Sequence, residues 1–168
     1  LQGDSAIVGI YDQLGIETTF TENGVIIKKN KSKEVTNELV YDFSDCPDVA
    51  QTLASTVAGM GVAGHFTGLE SLRIKETDRI QAIKDELAKF NIAVEIKGDD
   101  EIKVKAGVIQ NAADVIETYD DHRVAMSIAP LCLSVSDDIK IKESEVVVKS
   151  YPAYWKDLAR VGLVSKEL

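Results

Sequence analysis

Three short runs of this sequence gather charged side chains where a helix is about to begin: Asp45-Cys46-Pro47-Asp48, Lys75-Glu76-Thr77-Asp78-Arg79 and Tyr119-Asp120-Asp121-His122-Arg123. The middle run is the most informative. A helix start carries a partial positive charge and favours anions. Asp78 obeys that rule, whereas Lys75 and Arg79 oppose it. If the first turn reaches back to Lys75, the two cations lie four apart on one helix face. A basic pair at a helix start is reasonable when a phosphate or carboxylate sits there as well. His122 and Arg123 repeat the anomaly in the third run. Each start also offers unpaired backbone N–H groups. If the three starts meet, they form an anion pocket lined by Lys75, Arg79 and Arg123, with Asp48 and Glu76 as carboxylates able to move protons.

Every one of these residues also has a plainer reading. Asp48, Asp78, Asp120 and Asp121 suit helix caps or dipole partners. Glu76 and Arg79, three apart, could form a surface ion pair worth less than about 1 kcal/mol. Lys149 follows Glu145-Val146-Val147-Val148 and fits a solvated strand end. Cys46 reads as a buried thiol rather than a nucleophile, since no His adjoins it in sequence. Met126, among Val124, Ile128 and Leu131, reads as core.

The elements that must position these runs follow from periodicity. Asp4–Leu14 reads as a helix. Glu17–Phe20 and Val25–Lys29 form a hairpin around Glu22-Asn23-Gly24, because Asn-Gly is a strong turn signal. A strand at Leu39–Phe43 leads through Pro47 into a helix over Asp48–Val57, and a strand at His65–Ile74 leads into one over Thr77–Phe90 with Ile80, Ile83 and Leu87 in register. A second hairpin, Val94–Lys97 and Glu101–Lys105, turns at Gly98-Asp99-Asp100. A strand at Asp114–Thr118, a helix at Asp121–Leu133, strands at Ile139–Lys142 and Glu145–Lys149 and a helix at Pro152–Val161 complete the chain, with Pro152 in the position favoured at a helix start. Helix, hairpin, strand, helix occurs twice in this order. The expected fold class is therefore α/β in the α+β sense, one domain of duplicated units with helices over small mixed sheets.

Bulk properties set outer limits. The 168 residues carry a formal net charge of -9, 45% hydrophobic and 28% charged residues, a globular balance. That acidity argues against nucleic-acid binding, which needs a basic face, but permits a small anionic ligand held by a local basic cluster. No apolar run nears the length of a membrane span. Cys46 and Cys132, without a CxxC pattern, suit a reducing cytosol and two buried thiols. His65 and His122 are too scattered for a metal cluster. Leu1-Gln2-Gly3-Asp4 lacks an initiating Met, and the chain is expected to begin inside a larger protein.

Taken together, Leu72-Arg73-Ile74-Lys75-Glu76-Thr77-Asp78-Arg79, Asp121-His122-Arg123-Val124-Ala125-Met126 and Lys149-Ser150-Tyr151-Pro152, with Pro47-Asp48-Val49-Ala50 and Leu1-Gln2-Gly3-Asp4, resemble the EPSP synthases. The resemblance covers essentially all 168 residues, but only the latter part of such an enzyme. It implies repeated βαββαβ-like units about a pseudo-threefold axis, with residues 1–168 as a partial C-terminal domain whose N-terminal companion is missing. It further implies transfer of the enolpyruvyl group of phosphoenolpyruvate to the 5-hydroxyl of shikimate 3-phosphate, without cofactor or metal, and competitive block by glyphosate.

By the same resemblance, Asp48 takes the proton of the attacking hydroxyl, Glu76 exchanges a proton at the methylene carbon, and Lys75 contacts shikimate 3-phosphate. Arg79, Arg123 and Lys149 hold phosphoenolpyruvate, Lys149 also being a candidate proton donor, and His122 and Ser71 are further candidate binding residues. Asp120 stands where many members carry Asn or Gly, and Ser71 where some carry Asn. UDP-N-acetylglucosamine enolpyruvyl transferases share the fold and remain the alternative among enzymes, and a phosphate-binding module without catalysis the alternative among binding proteins.

Overall fold

The computed structural model describes residues 3–166. A 3-10 turn at Gly3–Ala6 runs into α1 (Ile7–Gln13), then the hairpin β1 (Ile16–Thr21) and β2 (Gly24–Lys29), β3 (Glu38–Asp42), α2 (Pro47–Met60) and β4 (Ala63–Thr67). A 3-10 segment at Glu70–Ile74 leads to α3 (Arg79–Lys89), the hairpin β5 (Val94–Lys97) and β6 (Glu101–Val104), α4 (His122–Ile128) and α5 (Tyr154–Arg160). The duplicated order is thus present: helix, hairpin and a following helix occur as α1, β1–β2, α2 and as α3, β5–β6, α4.

The two hairpins are used differently. β5 and β6 join a four-stranded sheet of order β3-β4-β6-β5, in which β3 and β4 are parallel and the rest antiparallel. The β3–α2–β4 crossover lays α2 on this sheet. Its apolar face (Ala50, Leu53, Ala54, Val57) is fully buried against Phe43 and Phe66, whose rings meet edge-on at 5.1 Å. The first hairpin forms a separate two-stranded sheet and leaves Phe20, Val25, Ile26 and Ile27 exposed.

Several boundaries differ from the periodicity reading, each for a local reason. The strand expected over His65–Ile74 ends at Thr67, because Gly68 takes φ +72 and a Cβ there would overlap the Ser44 hydroxyl and the Asp42 carboxylate. The chain turns into the 3-10 segment, which Arg73 pins by donating to the Gly98 carbonyl at 3.2 Å and to Asp78 at 2.8 Å. The helix expected from Thr77 begins at Arg79, since the Asp78 side chain caps it by accepting the Gln81 N–H at 3.0 Å. Lys75 therefore lies outside the helix, and Lys75 and Arg79 do not share a helical face.

The strand at Asp114–Thr118 reduces to one bridge, Ile116 to Ile141. Residues Ser144–Lys149 form a 3-10 helix rather than a strand, with the adjacent Val146 and Val147 both buried. They pack with Ala125, Ala129 and Tyr154 in a second small core, on which Met126 is only partly buried. The last helix starts at Tyr154, two residues after Pro152.

Gly68 delivers the chain toward Lys75 and Glu76, so its substitution tests the turn. Gly68→Ala is expected to destabilise the folded protein by about 1–3 kcal/mol through overpacking and backbone strain. A urea-unfolding midpoint equal to the parent's would contradict this account of the turn.

Candidate functional site

The starts of α2, α3 and α4 meet at the guanidinium of Arg79, the first residue of α3, which is only 2% exposed. Its Nε donates to Asp121 Oδ2 at 2.7 Å, its Nη1 to Asp48 Oδ1 at 2.8 Å and its Nη2 to Glu76 Oε2 at 2.7 Å, with a longer bond from Nη2 to Asp121 Oδ1 at 3.3 Å. The Glu76–Arg79 pair is consequently not a surface ion pair: a buried guanidinium must be met on every side, and three carboxylates from three chain segments meet it.

Asp48 is the second shared point. It sits in the first turn of α2, where the helix dipole favours a carboxylate. Besides Arg79, it faces Lys75 Nζ at 3.4 Å from Oδ1 and Arg123 Nη2 at 3.2 Å from Oδ2, while Arg123 Nη1 donates to its backbone carbonyl at 3.4 Å. Asp121 caps α4 by accepting the Arg123 N–H at 2.8 Å, so one buried carboxylate both fixes Arg79 and starts the helix that carries Arg123. Glu76 is the most open of the three carboxylates, its side chain 44% exposed against 28% for Asp48.

The remaining predicted residues lie around this junction. Lys149 pairs with Asp120 Oδ1 at 2.7 Å and donates to the Asp120 carbonyl at 3.0 Å, so it reaches the junction only through the neighbour of Asp121. His122 is buried with its Nδ1 unpartnered among the described residues, and with Arg123, Thr52, Met126, Ser150 and Tyr151 it lines a cleft of about 210 Å³. Ser71 is exposed on the 3-10 segment. Among the described residues no group of three or more His, Cys, Asp or Glu is placed to hold a metal ion.

The misplaced charge of the sequence is thus answered from within the chain. Lys75, Arg79 and Arg123 stand against Asp48, Glu76 and Asp121, three cations and three carboxylates in contact. An incoming anion finds no surplus cation in this set. It must displace a carboxylate or arrive with cations supplied from elsewhere. Carboxylates held against fixed cations beside an anion site are suited to proton transfer on an oriented ligand.

The periodicity of the sequence reads Asp121 as a cap or dipole partner and singles out no role for Glu86. The signal for Asp121 was its place directly before His122-Arg123. The signal for Glu86 was its position three residues after Ile83 and beside Leu87, on the edge of an apolar stripe.

The chain is similar to several known proteins. A 3-phosphoshikimate 1-carboxyvinyltransferase of Bacteroides fragilis strain YCH46 is 44% identical over 162 residues, covering 96% of this chain and 39% of that protein. One from Clostridium novyi strain NT is 34% identical, covering 99% of this chain and 37% of its own length. The fold matches an EPSP synthase of Acinetobacter baumannii with a TM-score of 0.71 at 25% identity, over 95% of this chain and 39% of that one. The chain therefore spans under two-fifths of the length of these relatives. With the family model for EPSP synthase (3-phosphoshikimate 1-carboxyvinyltransferase) matching residues 1–158, the chain belongs to the EPSP synthase family.

Proposed function

We propose that this chain is the later part of a longer 3-phosphoshikimate 1-carboxyvinyltransferase and supplies that enzyme's proton-transfer carboxylates together with part of its anion grip. The observation that carries the reading is the junction at Arg79, where Asp48 and Glu76 are held as neighbours by one buried cation. In the reaction, the 5-hydroxyl of shikimate 3-phosphate adds to C2 of phosphoenolpyruvate while C3 gains a proton. The tetrahedral adduct then loses phosphate from C2 and a proton from C3.

Asp48 receives the hydroxyl proton. Glu76, the most open carboxylate, serves the methylene carbon. Lys75, placed next to Asp48, contacts shikimate 3-phosphate, while Arg79 and Arg123 hold the charges of phosphoenolpyruvate as that anion takes the place of a carboxylate on them, and Lys149 holds them as the second proton donor, with His122 and Ser71 on the walls of the site. The reacting groups gain from fixed positions, since the cations need no reorganisation when charge develops. The reading places the enzyme in the cytoplasm, which suits the free thiols of Cys46 and Cys132. No helix among the described residues is long and apolar enough to cross a membrane.

Charge balance explains why the rest of the protein matters. With three cations already matched by three carboxylates, tight binding of a dianion draws on cations outside this segment. The purified 168-residue chain is accordingly expected to show no turnover of phosphoenolpyruvate with shikimate 3-phosphate and at most weak phosphoenolpyruvate binding. Release of phosphate above background by that chain alone would overturn the proposal of a dependent segment.

In the full-length protein, Glu76→Gln is expected to lower kcat by about 10²–10⁴-fold, the usual weight of a positioned acid or base. Arg123→Ala is expected to lower kcat/KM by about 10²-fold or more through loss of a charge-stabilising donor. Coupled phosphate-release assays read both, and near-parental rates in the two variants would refute the assigned roles.

A further inference from the structure

Besides Asp121, Glu86 is the one carboxylate fully buried among the described residues, and the proposed chemistry leaves it unused. It lies seven residues beyond Arg79 on α3, two turns along the same face. Every bond it makes is accounted for. Oε1 accepts from the Tyr119 hydroxyl at 2.7 Å and from Lys89 Nζ at 3.0 Å, while Oε2 accepts from Lys89 Nζ at 2.8 Å and from the Glu117 N–H at 3.1 Å. Lys89 also donates to the Val115 carbonyl at 2.8 Å. Helix α3 therefore grips one short segment at two points: Glu86 takes Glu117 and Tyr119, and Arg79 takes Asp121.

Between those points the backbone is strained. Tyr119 and Asp120 both have φ of 55, and the Thr118 carbonyl accepts the Asp121 N–H at 2.9 Å to close a left-handed turn. Asp tolerates this conformation, but a tyrosine there is unusual and must be held. The turn presents Asp121 to Arg79 and Arg123 on one side and Asp120 to Lys149 on the other.

We propose that Glu86 is a positioning residue, which by holding Tyr119 and the Glu117 amide keeps this left-handed turn closed and so aims Arg79, Arg123 and Lys149 at the reacting groups. The inference rests on the reading of the Arg79 junction as the reaction site. Burial, and then the bond to Glu86, push the Tyr119 phenol well above its ordinary range, so the hydroxyl remains a donor to the carboxylate throughout the neutral pH range.

The test uses the full-length enzyme with phosphoenolpyruvate and shikimate 3-phosphate, reading kcat, KM for phosphoenolpyruvate and the unfolding midpoint. Tyr119→Phe removes one hydroxyl from a partly exposed ring. It is expected to lower kcat/KM by about 10- to 100-fold, the cost of a displaced site, at an unchanged midpoint. Tyr119→Gly is expected to lose less than Tyr119→Phe, because glycine adopts the left-handed conformation without a tether. Glu86→Gln is expected to follow Tyr119→Phe, which carries the test whether or not the Glu86 variant folds. An inactive parent overturns both the reading and this inference. An active parent with Tyr119→Phe at parental kcat/KM, or with Tyr119→Gly no better than Tyr119→Phe, overturns the inference alone.

Discussion

The architecture turns on burying one guanidinium. Removing a charge from water is costly, and the cost is offset only when each donor meets a well-placed partner. Arg79 has donors on three sides, and its partners come from three separate places: the first turn of α2, the loop before α3 and the cap of α4. Meeting all three fixes where α2 and α4 begin relative to α3. Such a cluster is weak evidence for net stability, since an apolar replacement is often as stable. Its value is geometric, because the interaction is satisfied in one arrangement of the three helices.

The same requirement shapes the surrounding backbone. Asp121 reaches Arg79 only if the chain turns sharply after Thr118, and it does so through two successive left-handed residues. Position 120 needs a residue that accepts positive φ. Here Asp120 satisfies it and gains a bond from Lys149.

What could be read in the sequence divides along physical lines. The Asn-Gly hairpin, the second hairpin, the α2 and α3 helices and the duplicated order rest on local periodicity and turn chemistry, and these were legible. The convergence of Asp48, Arg79 and Arg123 was legible as a shared charge anomaly. Asp78 as cap was legible too, but not that it would exclude Lys75 from the helix. The 3-10 segments at Glu70–Ile74 and Ser144–Lys149 were read as strand because their apolar residues are short runs without helical length, and tertiary packing of Val146 and Val147 decided their form. Glu86, at the edge of the apolar stripe, did not read as buried, since a Glu on a helix is ordinarily solvated and Glu117 and Tyr119, which bury it, lie about thirty residues away in sequence.

Asp121 holds Arg79 from the buried side, whereas Glu76 holds it from the open edge, where water can take the carboxylate's place. Equilibrium urea unfolding of the full-length protein with Asp121→Asn and with Glu76→Gln measures this difference most directly. The structure predicts a loss of about 3 kcal/mol for Asp121→Asn, as expected when a buried charge loses a partner, and a smaller loss for Glu76→Gln, whose half-exposed carboxylate water can replace at the guanidinium. Equal losses in the two variants, or an Asp121→Asn protein as stable as the parent, would contradict it.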